Sequence, residues 1–357
     1  MKGLSLFVYR FVLTACAFVL TTFLLPVLAS SQEPEEWKTK ATAHGTGRGP
    51  AAAALKRADS AADFIVPFWS RLEVAVGTAA PERIYWHPAA VASGRHTAQV
   101  ASPASTDPHI ADNSFLIEEA YNQEYGVVQH INAFQRSRSG AWEFTFTQEW
   151  PVQPAPRHQL SYTLAVVDYD TVPGAGGGLG DLLLNYRYQL VGQGSGALAI
   201  APRISLLLPT GDSRRGRGAG GTGVEFNLPV SLTLFDRWVT HFNVGGSVVP
   251  NAKNPAGEEA ATYGYFVGQS FIWRLHPRFN PLLELLFSNQ QSVAAPGDAV
   301  WERSVAVNPG FRWAHNFANG LQIVPGIAFP VEVGRANRGE WGIFLYLSFE
   351  HSFAASR

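Results

Sequence analysis

From Tyr125 onward, apolar and polar residues alternate one by one in segment after segment. Residues 141–150 show it most clearly. Trp142, Phe144, Phe146 and Trp150 fall on one side of a period-2 repeat, and Glu143, Thr145, Thr147 and Glu149 on the other. A helix cannot separate these sets, whereas a strand does so because successive side chains point to opposite faces. Twelve such segments fit at 125–134, 141–150, 159–168, 181–190, 197–208, 223–234, 238–248, 261–273, 279–288, 303–313, 320–330 and 341–353. Fourteen is the alternative count. A tilted strand needs about 9–11 residues to cross a bilayer, and these segments meet that length.

The connections supply a second test. After the first (135–140), those at 169–180, 209–222, 249–260, 289–302 and 331–340 are long, and those at 151–158, 191–196, 235–237, 274–278 and 314–319 are short. Long loops on one side and short turns on the other are expected of an antiparallel up-and-down barrel in an outer membrane. Trp142, Trp150, Trp238, Trp273, Trp313, Trp341 and Phe353 fall at or near strand ends, which suits two interfacial girdles. The predicted fold is therefore all-β, a transmembrane barrel over residues 125–353 with a short tail at 354–357. A large soluble sandwich is the competing architecture.

The N-terminal part is different. Lys2 and Arg10 form a positive stretch ahead of an apolar run over residues 11–28, and Val27-Leu28-Ala29 offers small residues for cleavage before Ser30. Residues 1–29 therefore read as a secretory signal peptide. An uncleaved anchor, or lipidation at Leu13-Thr14-Ala15-Cys16, are the alternatives. Residues 30–112 show little periodicity and read as an irregular periplasmic extension. Residues 113–124 either pair at the barrel rim or tuck inside as a small plug.

Composition sharpens this picture. The chain has 27 Lys+Arg, 28 Asp+Glu, one Met (Met1) and one Cys (Cys16). Cleavage after Ala29 removes both sulfurs together with Lys2 and Arg10, leaving a formal charge of 25 − 28 = −3. No disulfide, thiolate metal site or cysteine nucleophile is then available. A near-neutral chain has no electrostatic footprint for nucleic acid. Charged residues are 15 % of the chain, against about 25 % in an average soluble domain, as a largely lipid-facing surface requires. No later stretch reaches the roughly 18 apolar residues of a membrane helix, so any spanning must be by strands.

Several stretches resemble a known family. Residues 113–131 (NSFLIEEAYNQEYGVVQHI), 180–190 (GDLLLNYRYQL), 201–212 (APRISLLLPTGD), 227–231 (NLPVS) and 308–314 (NPGFRWA) are similar to the outer-membrane transporter family named after the meta-pathway of phenol degradation. The resemblance covers roughly residues 105–353. It implies a barrel admitting small hydrophobic or aromatic compounds, with no catalytic residues and no cofactor.

Other chemistry finds little support. Gly216-Arg217-Gly218-Ala219-Gly220-Gly221 spells G-x-G-x-x-G, but a strand follows it rather than a helix, so it reads as a flexible outer loop. No G-x-S-x-G or H-x-S is present. His351 and Ser352 are adjacent and so face opposite ways, and the ten His residues show no paired metal spacing. The chain is expected not to be an enzyme. The informative residues are those on the polar face. Glu143, Glu149, Asp181, Glu225, Glu284 and Glu350, with Arg187, Arg203, Arg312 and His241, are the candidate lumen lining. A charge on the lipid face would cost about 2–4 kcal/mol at the midplane. Leu183, Leu207, Phe266, Ile272, Leu286, Val324 and Phe344 share that inner face, and a wide aqueous pore would not favour them. Structural salt bridges in a closed interior and a mixed route for solutes are both open readings.

The expected function is passive passage of small hydrophobic or aromatic solutes across an outer membrane. The alternative is a plugged structural or surface-interaction barrel acting through outer loops 212–223 and 251–260. The expected partners are outer-membrane lipids, a small solute, and the barrel-assembly machinery through the last strand ending at Phe353.

Overall fold

The computed structural model describes residue 110 and residues 114–352, apart from 154, 156, 193–196, 235–236, 318–320 and 335–338. The expected signal peptide, residues 30–109 of the extension, Phe353 and the tail lie outside the described residues. Strands follow one another as β1 (Val127–Ser137), β2 (Trp142–Pro151), β3 (His158–Asp168), β4 (Gly178–Tyr188), β5 (Leu198–Ile200), β6 (Arg203–Leu208), β7 (Gly223–Leu234) and β8 (Trp238–Lys253). They continue as β9 (Glu259–Trp273), β10 (Phe279–Ala295), β11 (Asp298–Trp313), β12 (His315–Asn316), β13 (Gln322–Ala328), β14 (Val331–Glu332) and β15 (Gly342–Ser352).

All pair antiparallel with their neighbours in the wall. The first and last strands meet along an 11-pair seam from Val127↔Ser352 to Ser137↔Gly342, which closes the sheet on itself. Three short strands continue a longer one. β5 shares β7 with β6, β12 continues β11 against β13, and β14 continues β13 against β11. The wall therefore has 15 − 3 = 12 strand positions. Two of the three interruptions fall at Pro202 and Pro330, where the missing N–H removes a ladder bond.

The alternation sorts side chains as the pattern requires. On β4, Leu184 is 43 % exposed while Asn185 is 7 % exposed. Leu164, Ile204, Leu206, Phe226, Leu345 and Leu347 also point outward. Trp238 and Trp273 stack on the outer surface at a short-turn end, 5.7 Å apart, and Trp313 lies exposed at the same end. Trp301 and Trp341 stand exposed toward the long-loop end. No helix among the described residues is long and apolar enough to cross a membrane.

Two expectations need correction. Residues 249–260 and 289–302 are not open loops. β8–β9 and β10–β11 run on as paired hairpins, turning at 254–258 and 296–297. β10 has 17 residues against 10 in β2, which at about 3.4 Å per residue gives that side much taller strands. The glycine-rich loop at 209–222 is pinned rather than flexible. It carries a single 3-10 turn, Ser213–Arg215, with the Asp212 side chain accepting from the Arg214 N–H and Gly216 closing it at φ 67°. Ser114–Gln123 lies inside the barrel, its N–H groups bonded to wall side chains.

Candidate functional site

The segment 114–123 forms a strap across the lumen. Ile110 packs against Ala314 and Val324 near the short-turn end. The chain then crosses the interior and returns to that end, where Asn122 donates to the Arg157 carbonyl at 2.9 Å before β1 begins. The strap adds no strand to the wall, so its N–H groups need other acceptors. Wall side chains supply them.

The N–H groups of Phe115, Leu116 and Ile117 all donate to Oε1 of Glu284, at 3.0, 2.7 and 3.0 Å. Asn308 donates to Oε2 of the same carboxylate at 2.7 Å. Asn243 treats Glu118 as a strand neighbour would. Its Oδ1 accepts from the Glu118 N–H at 2.9 Å, and its Nδ2 donates to the Glu118 carbonyl at 2.8 Å. Ala120 donates to Ser231, Asn122 to Gln189 and Gln123 to Gln159, at 2.7, 2.8 and 2.7 Å. The Gln123 side chain also donates to Gln129.

Packing fixes the strap as well. Phe115 sits between Phe344 and Tyr346, with ring centroids 5.5 and 5.2 Å away. Gly326 makes room for it, since a Cβ there would lie 2.4 Å from Phe115 Cζ.

The strap's own carboxylate is the centre of the largest charge cluster. Glu118 Oε2 accepts from Arg187 Nη2 at 2.9 Å and from Arg203 Nε at 3.2 Å. Its Oε1 lies 2.9 Å from Arg203 Nη2. Arg203 Nη2 also donates to Glu225 at 2.8 Å, and Arg187 Nη2 lies 3.9 Å from Glu149. All five side chains are buried. Arg203 is further held by Asn185 at 3.0 Å and by Ser205.

The ten candidate lining residues separate accordingly. Glu149, Arg187, Arg203 and Glu225 come together around Glu118. Glu284 holds the strap backbone. His241 shares a 2.7 Å hydrogen bond with Ser231, which itself accepts from the strap. Glu143 accepts from the Tyr169 hydroxyl at 3.0 Å, and Asp181 accepts from the Gly211 and Ala219 N–H groups at 3.0 and 2.7 Å. These two carboxylates thus fasten outer loops rather than join the cluster. Arg312 is buried apart from it, beside Gly326. Glu350 faces inward at the end of β15 and is half-buried, opposite Gln129 and Gln322. Glu118 itself was outside the candidate set. Its only sequence signal is the position of Glu118-Glu119 directly after the apolar Phe115-Leu116-Ile117.

Between strap and wall lies a cavity of about 90 Å³ that opens to solvent. Phe115, Leu116, Ile131, Ala133, Phe344 and Tyr346 give it an apolar side, and Thr145, Thr147, Ser161, Thr163, Arg187 and Arg203 a polar one. A second, small cavity of about 20 Å³ shares Glu143, Thr145 and Thr163 with it and reaches Tyr169, Arg217 and Gly218 of the outer loops. Arg217 ties those loops together by donating to the carbonyls of Ala175 and Gly176 at 2.5 and 2.8 Å. Among the described residues no group of three or more His, Cys, Asp and Glu is arranged to hold a metal ion.

No family model matches the sequence, and no curated protein matches it. Among solved structures it shows a distant likeness to outer-membrane proteins. An outer membrane channel from Pseudomonas putida F1 is 14 % identical over 66 % of this chain and 98 % of its own, with a TM-score of 0.46. The NanC porin is 9 % identical over 62 % and 98 %, at 0.43, and the KdgM porin 7 % identical over 63 % and 99 %, at 0.40. Likeness at this level concerns the barrel alone. A functional reading has to come from this chain's own lumen.

Proposed function

We propose that this chain is an outer-membrane barrel, exported by an N-terminal signal, that passes small hydrophobic or aromatic solutes through the lumen beside the strap. The carrying observation is the pair of cavities along β2–β4, which share Glu143, Thr145 and Thr163. Together they run from the strap toward the outer loops, with one apolar and one polar wall. A solute with a ring and a polar group would find partners on both walls. The outward apolar band and the exposed tryptophans at both ends support placement in a bilayer. The likeness of residues 113–131, 180–190 and 201–212 to the meta-pathway transporters supports an aromatic solute.

The test is reconstitution in liposomes and planar bilayers. Channel conductance should appear, and arbutin, an aromatic glucoside, should swell the liposomes faster than glucose despite its size. A correctly folded barrel that neither conducts nor admits either solute removes the reading. The thorough seating of the strap backbone favours a second reading, a plugged structural barrel. That reading predicts no flux, and phenotypes confined to the outer loops.

A further inference from the structure

Within the cluster around Glu118 the charges do not balance. Glu118, Glu149 and Glu225 set three carboxylates against the two guanidiniums of Arg187 and Arg203. Without Glu118 the wall alone balances, two against two. Glu118 also differs in where it comes from. The other four side chains stand on strands of the closed wall, while Glu118 arrives on a strap that pairs with none of them. Its Oε2 accepts from both Arg203 Nε and Arg187 Nη2, while Oε1, 2.9 Å from Arg203 Nη2, makes no hydrogen bond with any described residue. A planar guanidinium fork suits a planar carboxylate. The buried Nε of Arg187 meanwhile has no hydrogen-bond partner. Both arginines line the same cavity as Phe344, Tyr346 and Ile131.

We infer that Arg187 and Arg203 form a solute site for aromatic monocarboxylates, and that Glu118 is a tethered carboxylate occupying it until a solute replaces it. The inference rests on the lumen being a solute route, and it narrows that route to a class of cargo. The carboxylate takes the place of Glu118 between the arginines, and the ring lies against the apolar wall. Displacement exchanges one ion-paired carboxylate for another, so the buried guanidiniums are never left unpaired, which would be the costly state.

Equilibrium dialysis of labelled benzoate against the detergent-solubilised barrel, with empty micelles subtracted, reads the site without requiring flux. Benzoate should bind saturably, and benzamide, its neutral planar analogue, at least tenfold more weakly, as expected when a charge-assisted pair is lost. Glu118→Gln removes the internal competitor and should tighten benzoate binding about tenfold. Arg203→Lys keeps the charge but not the paired Nε and Nη2 donors and should weaken it. Glu118 lies outside the strand ladder, so the barrel of this variant should still close. If it does not, the benzoate-to-benzamide ratio of the unmodified protein decides. Equal binding of benzoate and benzamide, or unchanged benzoate affinity in folded Glu118→Gln, overturns the site. Benzoate binding without conductance removes the channel and keeps the site. Conductance without benzoate preference does the reverse.

Discussion

Three consecutive N–H groups, those of Phe115, Leu116 and Ile117, converge on one oxygen of Glu284, and Asn308 donates to the other. A single carboxylate so sets the path of the strap where it enters the lumen. Glu284→Gln keeps the shape but removes the charge, and it turns a donor toward Asn308 Nδ2 where an acceptor stood. The loss should be about 1.5–3 kcal/mol, the range for hydrogen bonds to charged groups. Hydrogen exchange should show residues 115–117 losing protection while β1–β15 keep theirs, and unchanged protection would contradict the role given to Glu284. The inward placement of Glu284, Arg187 and Arg203 was readable from alternation alone. The partner of the two arginines was not. Glu118 lies 69 and 85 positions from the two arginines, in a segment with no period to reveal which way it points.

Strands were legible where lipid or lumen forces two different faces on them. The hairpin extensions of β8–β9 and β10–β11 were not, and for a related reason. On β10, Gln291, Ser292 and Val293 are all half-buried, so the alternation that announces a strand is no longer required, and on β8–β9 the buried positions include the small Ala252 and Ala260, which carry little apolar signal. The pinned loop at 209–222 was hidden because its order depends on Asp181, on a different strand. Between elements, the strap and β13 are matched by an absence. Gly326 leaves the space that the Phe115 ring fills, and Phe344 and Tyr346 limit where the ring can go. Gly326→Ala should displace Phe115, loosen the strap and raise conductance, at an overpacking cost of about 1–3 kcal/mol. Bilayer recordings check this. A conductance equal to that of the unmodified protein would mean the strap does not limit the lumen.

The whole molecule turns a soluble protein's arrangement around, with an apolar exterior and a hydrogen-bonded polar interior. Low charge content follows from that, because only lumen and loops can hold charges. Leu184→Arg, at an outward site in the middle of β4, should destabilise the barrel in vesicles by about 2–4 kcal/mol, measured by denaturant titration of the folded fraction. A negligible change would argue against lipid at that surface. The strap leads directly into β1, and the seam that closes the barrel is made by β15. The interior is thus filled by a segment translated before the wall around it and sealed by the strand translated last. Until that seam forms, the sheet is an open trough, and the strap can be laid into it sideways. Once it has formed, the same segment could be seated only by threading through an end of the closed barrel.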